Sequence, residues 1–307
     1  MPQSSPSRSI PRPGSQLRAG FDLTAAMVIV GSSAVAGKLV LAGLPLFVAM
    51  ALRFAVACAA AWPLLWWREG RLPRLAARTW GVFALQALTG VLVFNALLLL
   101  GLTRTGAGRA GLITSLTPAV MALLAWIFLR ERPSGRVLAG VVCAVGALLV
   151  LAAPELGRAG ASLAGSLGGD AMALGAVAGE SCFLLLRKAV REPVSPLAAS
   201  TIVSTFGLVY FLPGAAWQWG EVAWGAVGAA TWAVVLYYGL FVSVLAYVFW
   251  FRGIVAVDGQ RAGVFTAVMP VSAVGLSWLV LGEVPGLEAL CALGLVLAGL
   301  WCIATAR

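Results

Sequence analysis

The chain has 307 residues, 61% hydrophobic and 10% charged. A soluble domain carries about 25% charge, so a soluble globular protein is excluded and the chain belongs in a bilayer. The net charge of +10 and the absence of histidine exclude further classes. The basic residues sit in short loops between apolar runs, with no basic, aromatic-bearing domain to grip nucleic acid, and histidine acid–base or zinc–histidine chemistry is removed.

In chain order, residues 1–20 are polar and rich in Ser and Pro, and read as a disordered cytoplasmic tail. Ten apolar stretches follow, near 21–40, 46–66, 80–102, 110–129, 137–153, 170–187, 197–216, 228–251, 262–281 and 287–304. Each is long enough to cross about 30 Å of hydrocarbon as a helix. The runs are continuous rather than alternating, which selects helices over a barrel. The expected fold is therefore an all-α integral membrane protein with ten transmembrane helices. Residues 21–153 form one five-helix unit, 154–169 a Gly/Ser/Ala-rich outer linker, and 170–305 a second five-helix unit. With the N-terminus inside, sixteen of the 21 Lys and Arg residues fall in cytoplasmic segments and four outside. This bias places both termini in the cytoplasm and the chain in the cytoplasmic membrane, as a multi-pass protein. The five cysteines, Cys58, Cys143, Cys182, Cys291 and Cys302, sit singly inside apolar runs. No metal site or cofactor is expected from such spacing.

A segment occurs twice, 152 positions apart. Arg109-Ala110-Gly111, Thr114, Pro118, Leu124, Trp126, Leu129, Glu131 and Pro133 return as Arg261-Ala262-Gly263, Thr266, Pro270, Leu276, Trp278, Leu281, Glu283 and Pro285. Five spans per unit is an odd number, so the second copy is expected upside down relative to the first, as an inverted repeat.

Pro118 and Pro270 fall near the middle of the fourth and ninth spans. Proline lacks the N–H that would bond the carbonyl four residues earlier; those carbonyls belong to Thr114 and Thr266. Two paired breaks at mid-depth point to a central site, with a neighbouring helix, water or substrate to satisfy the carbonyls. A simple kink is the plainer reading. Gln86 and Asn95 in the third span pair with Tyr238 and Tyr247 in the eighth by the same offset; each is a candidate for the pathway or for interhelical glue. Glu180 lies in the sixth span beside Ser181. Three roles fit it: a proton-coupling or amine-binding carboxylate, a structural partner of Arg53 or Lys38, or a protonated, silent group. Lys38 either snorkels to the outer interface or binds a carboxylate in an outward cavity. The aromatic eighth span, with Trp232, Tyr237, Tyr238, Tyr247 and Trp250, reads as packing or as the wall of a cavity for apolar metabolites. Gly140/Ala144 and Gly294/Ala298 suggest close packing of spans five and ten.

These residues resemble a known family. Gly31-Ser32-Ser33 followed by Lys38, then Leu52-Arg53-Phe54, then Ala110-Gly111-Leu112-Ile113-Thr114-Ser115-Leu116-Thr117-Pro118 ending at Glu131, are similar to the EamA-type branch of the drug/metabolite transporter superfamily. The copy from Ala262 to Glu283 is looser. The resemblance covers residues 20–305. It implies a cavity lined by spans one, three, four, six, eight and nine, alternating access, and export of amino acids or related metabolites. Small four-helix relatives carry an essential Glu in their first helix; here that helix holds only Asp22, at its inner end, and Glu180 is a substitute candidate for coupling to protons.

The expected function is thus a secondary transporter or facilitator, not an enzyme, with a small-molecule substrate and the lipid bilayer as partners. A nucleotide-sugar or lipid-linked-sugar carrier is the alternative. No metal-binding acidic pair supports an intramembrane enzyme, and no G-x-x-x-x-G-K-[ST] loop supports ATP-driven transport.

Overall fold

The computed structural model describes residues 13–130, 132–156, 161–187, 189–254 and 265–306. Among these residues there are helices and no strands. In lipid, backbone N–H and C=O groups must be satisfied within the segment, so apolar runs of this length form helices. Among the described residues, nine helical segments are long and apolar enough to cross a membrane.

The first is α1 (Pro13–Gly31) continued by α2 (Ser33–Leu41). Then come α3 (Leu46–Glu69), α4 (Ala77–Ala87) and α5 (Phe94–Leu102). The fourth expected span is α6 (Ala107–Thr114) with α7 (Thr117–Leu129), and the fifth is α8 (Gly135–Leu156). The second unit has α9 (Ala161–Arg187), α10 (Pro196–Gln218), α11 (Ala229–Tyr237), α12 (Ala246–Ile254), α13 (Val268–Leu281) and α14 (Leu287–Ala304). The ninth expected span, 262–281, is seen as α13; its start and the Arg261-Ala262-Gly263 copy lie outside the described residues, as does Glu131.

Two boundaries differ from the sequence reading. Helix α1 begins at Pro13, so the described part of the expected disordered tail is helical; residues 1–12 lie outside the described residues. The expected linker 154–169 is helical where described, in the end of α8 and the start of α9. Gly169 serves packing: a Cβ there would come within 3.1 Å of the Gly101 carbonyl oxygen, and one on Gly101 within 2.9 Å of the Gly169 carbonyl. Small residues let α9 lie against α5 at backbone distance.

Helices α4 and α5 are joined by a π-helical stretch, Leu88–Val93, and α11 and α12 by another, Tyr238–Leu245. Shifted by 152 positions, the first becomes 240–245, inside the second. Spans three and eight thus carry the same irregularity at the same place. Such π stretches concentrate at functional sites.

The two terminal helices of each unit, α8 and α14, pack together. Gly140 touches this seam, but its counterpart is Gly299, whose carbonyl lies 2.9 Å from a Cβ built on Gly140. Gly294 faces open space, so the expected Gly294/Ala298 contact is not the one used. On the other side of the bundle α3 and α10 pack together, with Phe54 and Phe211 stacked at 5.9 Å.

Candidate functional site

The fourth span stops at Thr114 and restarts at Thr117, with Ser115 and Leu116 in a turn. Pro118 therefore sits in the first turn of α7, where a missing N–H costs little, and not in the middle of a continuous helix. The Thr114 carbonyl, which the proline deprives of its usual donor, accepts the Thr117 hydroxyl at 2.8 Å. This corrects the expectation that a neighbouring helix, water or substrate supplies that partner. The same Thr117 hydroxyl lies 2.6 Å from Oε2 of Glu180 on α9. Beside it, Ser181 is fully buried and directs its hydroxyl toward the Thr117 carbonyl at 3.4 Å. Glu180 itself is partly exposed, while Thr114 and Thr117 are buried.

The ninth span breaks at the equivalent place but is satisfied differently. The Thr266 carbonyl accepts the Met269 backbone N–H at 3.2 Å. Ser272 caps the Met269 carbonyl at 2.9 Å and reaches the Met27 carbonyl of α1 at 3.4 Å. Pro270 is buried in the first turn of α13. Gly31 presses on this break: a Cβ there would lie 2.7 Å from the Met269 carbonyl oxygen and would overlap the Ser272 hydroxyl.

Arg53, on α3, is buried. Its Nε donates to Ser243 Oγ at 2.9 Å and its Nη1 to Asn95 Oδ1 at 2.7 Å. The guanidinium carbon lies 3.9 Å from the centre of the Tyr238 ring and 4.9 Å from that of Phe54. Asn95 is held in turn by donating to the Val91 carbonyl, inside the first π stretch, and Ser243 comes from the second. The two π stretches thus aim their polar groups at one guanidinium. Every one of these partners is neutral, and among the described residues no carboxylate pairs with Arg53. A guanidinium keeps its charge in any protein environment, and a buried charge without a counter-charge is costly. Tyr247 on α12 is 42% exposed and lies within electrostatic range of both Arg53 and Glu180.

The structure separates other residues that the sequence groups together. Lys38 is ion-paired with Glu283. It neither snorkels free nor partners Glu180, and the Arg53–Glu180 pairing is absent as well, so the structural-partner reading of Glu180 fails for both cations. Glu283 also accepts the Ser277 hydroxyl and the Gly108 N–H, the latter at 3.3 Å. Burial alone would raise the Glu283 pKa; the Lys38 ammonium and the Ser277 and Gly108 donors outweigh it and hold the carboxyl below its usual range. Helix α13 ends at Gly282 with φ 69°, the left-handed cap that turns Glu283 back over the bundle. At the same end Arg109 binds Asp170 through Nε at 2.9 Å. At the opposite end Asp22 pairs with Arg252 at 3.3 Å. There too the Thr79 hydroxyl and Ala76 N–H bind Glu192 and hold it below its usual range.

Gln86 donates to the Phe183 carbonyl at 2.8 Å, with its Oε1 buried and unpartnered, so it ties α4 to α9 and stays apart from the Asn95–Arg53 group. Ser32, at the break between α1 and α2, donates to the Ile29 carbonyl and meets the Tyr237 hydroxyl, both at 2.6 Å.

Arg53, Thr117 and Ser243 were not among the expected site residues. Thr117 had a sequence signal, since a hydroxyl one residue before a mid-span proline can bond the freed carbonyl.

The EamA-like transporter family model matches residues 22–153 and 167–305 separately. An uncharacterized transporter of Bacillus subtilis (strain 168), YetK, is 37% identical over 270 residues, covering 87% of this chain and 81% of the relative. A second from the same organism, YyaM, is 25% identical over 233 residues, covering 74% of each. A crystal structure of a protein at 20% identity aligns over 96% of this chain and 97% of its own, with a TM-score of 0.64; at that identity the likeness speaks for the fold alone.

Proposed function

Because the chain belongs to the EamA-like transporter family and is a multi-pass membrane transporter, we propose that it moves an amino acid or a related compound out across the cytoplasmic membrane. It works as a secondary transporter or facilitator, by alternating access between two five-helix units in inverted orientation, with ten spans and both termini inside. The observation that carries the substrate class is a buried guanidinium and a carboxyl group, neither with an oppositely charged partner among the described residues. Arg53 lacks a carboxylate partner among the described residues, Glu180 makes its hydrogen bond to a hydroxyl, and Tyr247 is in electrostatic range of both. A zwitterion supplies what each lacks, its carboxylate to Arg53 and its ammonium to Glu180. Phe54, Tyr238 and Tyr247 suit an apolar or aromatic side chain. The paired π stretches and proline breaks give the two units matching places to bend. The pathway residues are Thr114, Pro118, Thr266, Pro270, Asn95, Tyr238, Tyr247, Glu180 and Ser181; Lys38 and Gln86 tie helices beside it.

A nucleotide-sugar carrier is the weaker reading. A diphosphate asks for several cations, and Lys38 is held by Glu283.

The test is exchange of radiolabelled leucine and phenylalanine by the full chain in liposomes, with and without imposed gradients. Exchange that saturates and is suppressed in Arg53→Gln is expected. No movement of any amino acid under any gradient, by protein shown to be folded, would contradict the reading.

A further inference from the structure

A hydroxyl carries one proton, and Thr117 has two acceptors within reach of it. Its Oγ1 is 2.8 Å from the Thr114 carbonyl and 2.6 Å from Glu180 Oε2. It can donate to one at a time. When Glu180 carries a proton, that proton is donated to Thr117 Oγ1, and the Thr117 hydroxyl serves the Thr114 carbonyl. When Glu180 is ionised, its carboxylate is acceptor-only and takes the stronger, charge-assisted bond. The Thr117 hydroxyl must then turn to Oε2, and the Thr114 carbonyl, already without a backbone donor because of Pro118, loses its partner.

We infer that Thr117 is a positioning residue that relays the protonation of Glu180 to the helix break of the fourth span. This rests on the reading of Glu180 as part of the transport site and says how that site is regulated. The balance is one proton: Glu180, which is partly exposed, releases it to water that enters the transport site, and the only other change is the rotation of one hydroxyl. In the ionised state a carboxylate and a freed carbonyl lie side by side, which is a site for an ammonium. In the protonated state both are occupied and the break is stapled. Proton and ammonium therefore exclude one another at the same place, and the flexible joint of α6 and α7 responds to which is bound.

The groups around Glu180 leave this relay intact. Tyr247 is the titratable side chain facing it from α12. On the helices packed against α9, Arg109 is engaged by Asp170, Arg136 by the Thr305 carbonyl at 2.6 Å, and Arg78 lies beside Glu192. In the ninth span the position of Thr117 is taken by Met269, whose backbone N–H holds the Thr266 carbonyl. There the donor is a backbone N–H rather than a side-chain hydroxyl.

The test needs no substrate, so it can fail independently of the amino-acid reading. Infrared difference spectra, acidic minus neutral, are recorded on the full chain in liposomes with isotope-labelled threonine carbonyls. The wild type is expected to show a carboxyl protonation band, lost in Glu180→Gln, together with a shift of one labelled carbonyl. In Thr117→Val the carboxyl band remains and the carbonyl shift is lost; Thr117→Ser restores it. Pro118→Ala, which returns a backbone donor to Thr114, also loses the carbonyl shift and serves if the valine variant does not fold. A wild type with no carboxyl band, or with one and no carbonyl shift, overturns the relay. So does a shift that persists in Thr117→Val or Pro118→Ala.

Discussion

The two proline breaks occupy equivalent places and are closed by different chemistry. In the fourth span the loose carbonyl is held by a side-chain hydroxyl that also touches Glu180. In the ninth it is held by a backbone N–H, with Ser272 bonding on to α1 and Gly31 pressed against the joint. The residue at the start of each unit completes the contrast. Aligning Gly31 with Gly179 sets Ser32 opposite Glu180. Ser32 meets the Tyr237 hydroxyl, whereas Glu180 gives Thr117 a carboxyl partner. On the proposed reading, one joint answers to protonation and the other is fixed, and the two differ in control.

The largest test of this contrast exchanges the two equivalent residues. Glu180→Gln is expected to lower leucine exchange about 100-fold, from about 3 kcal/mol for a hydrogen-bonded charge, and to abolish its pH dependence. Ser32→Ala is expected to lose about fivefold, one neutral hydrogen bond, and to keep the pH dependence. Equal losses in the two variants would erase the difference between the units.

Next in size is the fixed joint itself. Gly31→Ala must push apart Met269 and Ser272 and is expected to cost about 1–3 kcal/mol as overpacking, read as a lower unfolding temperature in detergent. Gly294→Ala, with open space around it, is expected to leave that temperature unchanged.

The joints are followed by helix ends that also differ between units. Gly282 and Arg130 are equivalent and both left-handed, with φ 69° and 55°. A side chain pays for that conformation by about 1 kcal/mol, so Arg130→Gly is expected to raise the unfolding temperature and Gly282→Arg to lower it.

The smallest effect is the Lys38–Glu283 pair. It is partly exposed, and such pairs contribute about 1 kcal/mol or less. Because the folded state lowers the Glu283 pKa, the contribution is present above the ordinary glutamate range and is lost as pH falls through the lowered value. A pH titration of the unfolding temperature should show this acid-side loss in the wild type and its absence in Glu283→Gln.

Much of this was legible from residue order. The apolar runs become the spans because lipid leaves the backbone no other partner, and Pro118 and Pro270 mark where the helices restart. What the sequence hides is partnership across long separations. Lys38 and Glu283 are far apart in the chain, and nothing local tells that they meet rather than Lys38 and Glu180. The π stretches are hidden for a related reason: Leu88–Val93 and Tyr238–Leu245 are ordinary apolar segments with no local signal for a widened turn. Glycines in the 154–169 stretch read as a linker because local propensity favours loops. Contact with Gly101 outweighs that propensity.

Whether one joint titrates while the other does not is read from the pH dependence of the maximal leucine exchange rate in liposomes for Thr117→Val and Ser272→Ala. A flat profile is expected for Thr117→Val, with substrate affinity still dependent on pH through Glu180, and a wild-type profile for Ser272→Ala. A wild-type profile in Thr117→Val, or a flat one in Ser272→Ala, would contradict it.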